Sequence, residues 1–114
     1  MLKTLELLKN DLIKVYEILD FKGGERFYYI KIRATLIDGS ELHIREFFSS
    51  DSLLYSYHWQ DENGSLITRW DNAPHHSHLS TYPHHKHAPE LEESEEMCLE
   101  EVLKEIRETI NRGL

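Results

Sequence analysis

The chain is short of cysteine, of proline outside one segment, of long apolar runs and of positive charge, and each shortage narrows what it can be. A lone cysteine, Cys98, closes no internal disulfide and builds no cysteine-based zinc site. It falls where a helix face is expected and reads as packing. No window approaches the roughly 20 apolar residues of a membrane span. The opening MLKTLELLKND is charged too early for a signal peptide, so a cytoplasmic protein with no membrane partner is expected. The formal charge of −8 argues against a nucleic-acid partner, which usually meets a basic surface.

The distribution of charge weakens that last exclusion. Residues 1–21 hold three basic and four acidic groups, residues 22–89 seven and eight, and residues 90–114 three and nine. The acid is concentrated in the tail. The middle is near neutral before its histidines are counted, and all eight lie between His43 and His87, where mild acidity or a phosphate would charge them. A cationic patch within an acidic protein is therefore consistent with the composition.

At 114 residues with 39% apolar side chains, the chain suits one domain, 1–114, around a modest core. Leu2, Leu5, Leu8 and Leu12 stand at helical spacing before a β-branched and aromatic run from Val15 to Phe21. Gly23-Gly24 marks a turn, and Ile30, Ile32, Ala34 and Leu36 alternate with Tyr29, Lys31, Arg33 and Thr35 as in a half-buried strand. A three-residue loop Asp38-Gly39-Ser40 would pair Leu36 with Leu42, Ala34 with Ile44, Thr35 with His43 and Arg33 with Arg45. A two-residue Asn63-Gly64 turn would set Trp59 against Thr68, Tyr57 against Trp70, His58 against Arg69 and Ser56 against Asp71. One face then carries Tyr55, Tyr57, Trp59, Trp70 and Leu66 as core, and the other collects His43, Arg45, Ser56, His58, Gln60, Arg69 and Asp71.

After Asp71 the periodicity stops, and residues 70–89 read as a long histidine-rich functional loop. An acidic run leads into a helix over 94–112, with Ser94 as N-cap and Leu99, Val102, Leu103, Ile106 and Ile110 as its apolar stripe. The expected fold is α+β: an antiparallel β-meander of about five strands with an N-terminal and a C-terminal helix packed on one face. Its exposed edge strands could pair in a homodimer.

The loop repeats a unit, Pro74-His75-His76-Ser77-His78 and Pro83-His84-His85-Lys86-His87. Neither copy has the i, i+4 spacing of a helix-borne zinc pair. Three readings stay open: a divalent metal held by His76, His78, His85 and His87, general acid–base work, and a solvated tract. Histidine suits proton transfer near neutral pH, and a phosphodiester also needs a cation. The catalytic candidates are thus His58, Arg69, Asp71, His75, His76 and Arg45, with Asp71 orienting a histidine. The substrate-binding candidates are His43, His84, His85, Lys86 and Tyr82. Phe47 and Tyr82 are the better stacking residues, since the aromatic stripe belongs to the core.

The string YSYHWQDENGSLITRWDNAPHH (Tyr55 to His76), the YPHHKH string (Tyr82 to His87), the H-I-R-E segment at His43 to Glu46 and the glutamate-led helix together resemble the TumE family of toxins over nearly the whole chain. The resemblance implies the toxic half of a type II toxin–antitoxin pair, silenced by a small antitoxin, often a helix-turn-helix DNA-binding protein. It carries no catalytic mechanism with it. Toxins of such pairs often act on RNA, so the expected function is a metal-independent RNA-cleaving toxin with no cofactor. A metal-dependent nuclease or transferase, or a non-catalytic RNA- or protein-binding module, are the alternatives.

Overall fold

The computed structural model describes residues 2–49, 52–72, 85–87, 91–93 and 97–113. A short helix α1 (Leu2–Leu7) leads into five long strands, β1 (Ile13–Gly23), β2 (Phe27–Leu36), β3 (Glu41–Ser49), β4 (Ser52–Gln60) and β5 (Leu66–Asp71). Two three-residue strands follow, β6 (His85–His87) and β7 (Leu91–Glu93), and helix α2 (Leu99–Asn111) comes last. All strands form one antiparallel sheet in chain order. The fold is thus α+β, as the alternation predicts, with two short strands beyond the five.

One face of the sheet holds the core. Ile30, Ile32, Ala34 and Leu36 of β2, Leu42 and Ile44 of β3, Tyr55, Tyr57 and Trp59 of β4 and Trp70 of β5 are buried together with Leu8, Leu12, Leu99, Val102, Leu103 and Ile106. Both helices therefore cover the same face, α2 through the stripe its 3.6-residue period provides. Full burial of side chains of this size is worth about 1.5–3 kcal/mol each against exposure, so this cluster is the main source of stability. Arg107 of α2 reaches Asn10 and Asp11 in the α1–β1 connection and ties the helix to it. That guanidinium also holds the Asp11 carboxyl below its ordinary range.

Several local expectations are corrected. The β2–β3 hairpin does have a three-residue loop, but it is Ile37-Asp38-Gly39. The Leu36 N–H donates to the Ser40 carbonyl at 2.8 Å, and Gly39 adopts φ +89°, which favours glycine. The register therefore pairs Ala34 with Leu42, Ile32 with Ile44, Arg33 with His43 and Lys31 with Arg45. A slip of two preserves which face each residue takes.

In the β4–β5 hairpin the predicted pairs hold, though the turn differs. Asp61 N–H donates to the Ser65 carbonyl at 2.9 Å, so the loop has three residues, with Gly64 at φ +88°. A bulge between Trp59 and Gln60 absorbs the difference. It sends Ile67 rather than Leu66 toward the core.

The loop expected over 70–89 is interrupted: Trp70 and Asp71 close β5, and His85–His87 pair with it as β6. Helix α2 starts at Leu99, with extended Cys98 at its N-cap, because Met97 and Cys98 are already non-helical. Ser94 lies outside the described residues. Cys98 therefore stands at the helix entrance, its thiol 3.3 Å from Glu101 Oε1, and not on the stripe.

Among the described residues, one acid is buried on the core face. Glu46 is 4% exposed, and its two oxygens accept from Thr4 Oγ1 at 2.7 Å and from the Tyr57 hydroxyl at 2.6 Å. A buried carboxylate is tolerated when it is hydrogen-bonded, and here the bonds tie α1 to β3 and β4. Burial and the adjacent Glu46 charge push the Tyr57 phenol far above its ordinary pKa. Glu46→Ala strands both hydroxyls and should cost about 2–4 kcal/mol, whereas Tyr57→Phe, which removes one donor, should cost about 1–2 kcal/mol. Urea unfolding of the two variants measures the order.

Candidate functional site

The uncovered face of the sheet is built from two rows running across the strands. Register aligns Glu17, Arg33, His43, His58 and Arg69 in one, continuing to the His87 position. Asp20, Lys31, Arg45, Ser56 and Asp71 form the second, continuing to the His85 position. Neighbouring strands lie about 4.8 Å apart, so side chains within a row are in contact range. Between the rows is a cleft of about 310 Å³ lined by Lys31, His43, Ile44, Arg45, Ser56, His58, Gln60 and Arg69.

His58 occupies the centre of the cleft floor. Burial lowers its pKa, electrostatic repulsion from the neighbouring Arg69 and His43 lowers it further, and a hydrogen bond with Gln60 opposes them. The ring is therefore neutral at pH 7, the form that accepts a proton. The His43 ring meets it edge to face, with centroids 6.0 Å apart. On its other side His43 Nε2 is 3.2 Å from Glu41 Oε1, which fixes the ring.

The cations divide into two kinds. Arg69 donates from Nε to Asp71 Oδ2 at 3.1 Å, and Asp71 is 4% exposed. Asp71 thus orients an arginine. Lys31 and Arg45, by contrast, have no carboxylate partner among the described residues. Their charges are available to an anion in the cleft.

Of the predicted residues, the sheet brings together His43, Arg45, His58 and Arg69, with Asp71 beneath Arg69. Lys86 is not among them. It pairs with Trp70 on the helix side, where its Nζ donates to Glu105 Oε1 at 2.9 Å. An interval of one residue along β6 moves it to the opposite face from the cleft. Phe47 lies on the cleft face and is exposed, outside the cleft lining. His75, His76, His78, Tyr82 and His84 lie outside the described residues. Among the described residues no group of three or more His, Cys, Asp and Glu is placed to hold a metal.

Two residues join the site without having been named for it. Lys31 is legible in the β2 alternation, which puts it on the polar face, but only the register shows it opposite Arg45. Asn72 follows Asp71 and is buried. Its side chain accepts from the Tyr55 N–H at 2.8 Å and donates to the Leu53 carbonyl at 2.7 Å. These bonds anchor the end of β5 to β4 just past the Arg69–Asp71 pair.

A one-layer meander with helices on one face and a histidine–arginine cleft on the other defines a small α+β protein suited to binding an anion beside a neutral imidazole. The chain belongs to the TumE toxin family, whose model, described as Toxin TumE, matches residues 3–110. It is thus a toxin-family protein over nearly its whole length. Neither the search of curated proteins nor that of solved structures returned a match. No described helix is long and apolar enough to cross a membrane.

The lowered His58 pKa has a consequence for stability. The unfolded chain protonates this ring near 6.5, before the folded chain does, so acid favours unfolding. The contribution is present above about pH 6.5 and is lost as pH falls through the lower folded value. His58→Gln should flatten that part of the curve, as read by denaturant unfolding at a series of pH values.

Proposed function

We propose that this protein is the toxin of a cytoplasmic toxin–antitoxin pair and that it cleaves RNA at the histidine–arginine cleft by metal-independent acid–base chemistry. The observation that carries this reading is a neutral imidazole, His58, flanked by cations that have no carboxylate partner among the described residues, Lys31 and Arg45. A phosphodiester seated on these cations brings its 2′-hydroxyl toward His58, which takes the proton. The 2′-oxygen attacks phosphorus, the bond to the 5′-oxygen breaks, and a 2′,3′-cyclic phosphate forms. A second histidine gives the departing 5′-oxygen its proton; His43 stands beside His58, and His75 and His76 remain candidates. Arg69, held by Asp71, stabilises the charge that develops on the phosphoryl oxygens.

The family supports an antitoxin partner, and the cationic cleft favours an acidic antitoxin segment that competes with RNA. A small helix-turn-helix protein encoded beside this chain is the expected partner. No cofactor is needed for the scheme.

Antitoxin-free protein should cleave RNA in excess chelator and leave 2′,3′-cyclic phosphate ends. His58→Ala should lower the rate by on the order of 10²–10⁴, with the fold intact by circular dichroism. Arg45→Ala should weaken RNA binding and cleavage together. Cleavage that is lost in chelator and restored by a divalent ion would move the chemistry to a metal. RNA left intact across the pH range would exclude a nuclease, and small, graded losses of RNA binding over several alanine variants would identify a non-catalytic module.

A further inference from the structure

The sheet begins with a strand whose outer edge, and most of whose helix-side face, no described element covers. Among the described residues, β1 pairs only with β2, and its other edge is open. It runs for 11 residues, against about five or six for an ordinary strand. Val15 is 57% exposed, Ile18 47% and Phe21 45%, and Tyr16 and Leu19 are exposed as well. Register with Leu36, Ala34, Ile32 and Ile30 puts Ile13, Tyr16, Ile18 and Phe21 on the helix side, where α1 and α2 leave the latter three uncovered. Glu17 faces the other way, bonded to Arg33 at 2.7 Å. An exposed apolar edge of this length would recruit another strand unless something prevented it.

The order of residues along β1 identifies the recruit. Around Glu17 the sequence Ile13-Lys14-Val15-Tyr16-Glu17-Ile18-Leu19-Asp20-Phe21 is complementary to its own reverse. Antiparallel pairing of two copies about Glu17 sets Ile13 against Phe21, Lys14 against Asp20, Val15 against Leu19 and Tyr16 against Ile18. Every pair off the axis is apolar with apolar or cation with anion. The faces agree too, since Ile13 meets Phe21 and Tyr16 meets Ile18, all on the helix side. The single like-charged pair, Glu17 with Glu17, lies on the two-fold axis, where each carboxylate already holds its own Arg33. Shifting the axis by one residue toward Ile18 opposes Lys14 to Lys22, and a further half-residue shift opposes Glu17 to Asp20. The irregularities at Lys14 and Leu19 lie on either side of a regular stretch, Val15–Ile18, that includes the axis residue.

We infer that β1 is a homodimerisation edge: two copies of this chain join β1 to β1 antiparallel about Glu17, making one continuous sheet with the two clefts on the same side. The interface is isologous, as a closed two-fold dimer requires. It goes beyond the reading of the cleft and does not depend on it, because assembly is measured without RNA.

Sedimentation equilibrium of the full chain, free of other proteins, should give a dimer. Lys14→Asp alone, or Asp20→Lys alone, opposes like charges at two symmetry-related pairs and should weaken dimerisation about tenfold. The combined swap, Lys14→Asp with Asp20→Lys, restores both pairs in reverse and should bring the dimer back to near the parent affinity. Ile18→Lys, on the open helix-side shelf, should give monomers with unchanged circular dichroism. A parent chain that stays monomeric at its highest soluble concentration overturns the inference. So does a dimer indifferent to the charge reversals, or β1 variants that change only the affinity for a different protein.

Discussion

The whole arrangement depends on the two-residue period of the strands acting across β2, β3, β4 and β5 at once. A strand sends alternate side chains to opposite faces, so fixing which residues are buried fixes which are not. Burial of Ile32, Ile44 and Tyr57 on the helix side leaves Lys31, Arg33, His43, Arg45, Ser56 and His58 no place but the other face. The cleft is thus the complement of the core, and its chemistry needs no loop to assemble it. This makes its geometry as rigid as the sheet, the condition under which a weakly basic imidazole and a guanidinium hold fixed positions without bound ligand.

The same logic shows why parity was readable from the residues and detail was not. The alternation in β2 and the run of Tyr55, Tyr57, Trp59 and Trp70 separate core from cleft with no structural information. For that reason a hairpin register displaced by two still assigns His43 and Arg45 to the correct face. What composition could not give is the identity of the neighbours. Whether Arg45 meets Arg33 or Lys31 turns on which residue takes the positive φ, and Asp38-Gly39-Ser40 and Ile37-Asp38-Gly39 are both plausible three-residue loops. The Trp59–Gln60 bulge is similar: its effect on register cancels that of the longer turn, so four correct pairs followed from an incorrect turn.

Two residues resisted for a different reason, since their roles depend on what lies across the sheet. Glu46 follows Ile44 on the core side of β3, and by polarity alone it is out of place. Only the hydroxyls of Thr4 and Tyr57, both distant in sequence, make its burial tolerable. Lys86 sits in a histidine-rich string and by composition belongs with the cleft. Its pairing with Trp70 turns it to α2 and Glu105, a helix whose position no local pattern supplies.

The net charge of −8 and a cationic cleft are compatible because the charges are sorted by layer. Glu100, Glu101, Glu105 and Glu108 belong to α2, on the covered side of the sheet, while Lys31, Arg45 and Arg69 stand on the other. A helix is about 10–12 Å across, and the sheet adds to that separation. At physiological ionic strength the screening length is about 8 Å, so acid exposed on the far side of α2 is largely screened from the cleft. Of the acids on this face, Glu41 is committed to His43, Asp71 to Arg69 and Glu17 to Arg33, and Asp20, opposite Lys31 in the register, lies outside the cleft lining. An approaching anion therefore meets the local surplus of Lys31 and Arg45 and not the sum over the chain, and the total charge says little about what this face can bind.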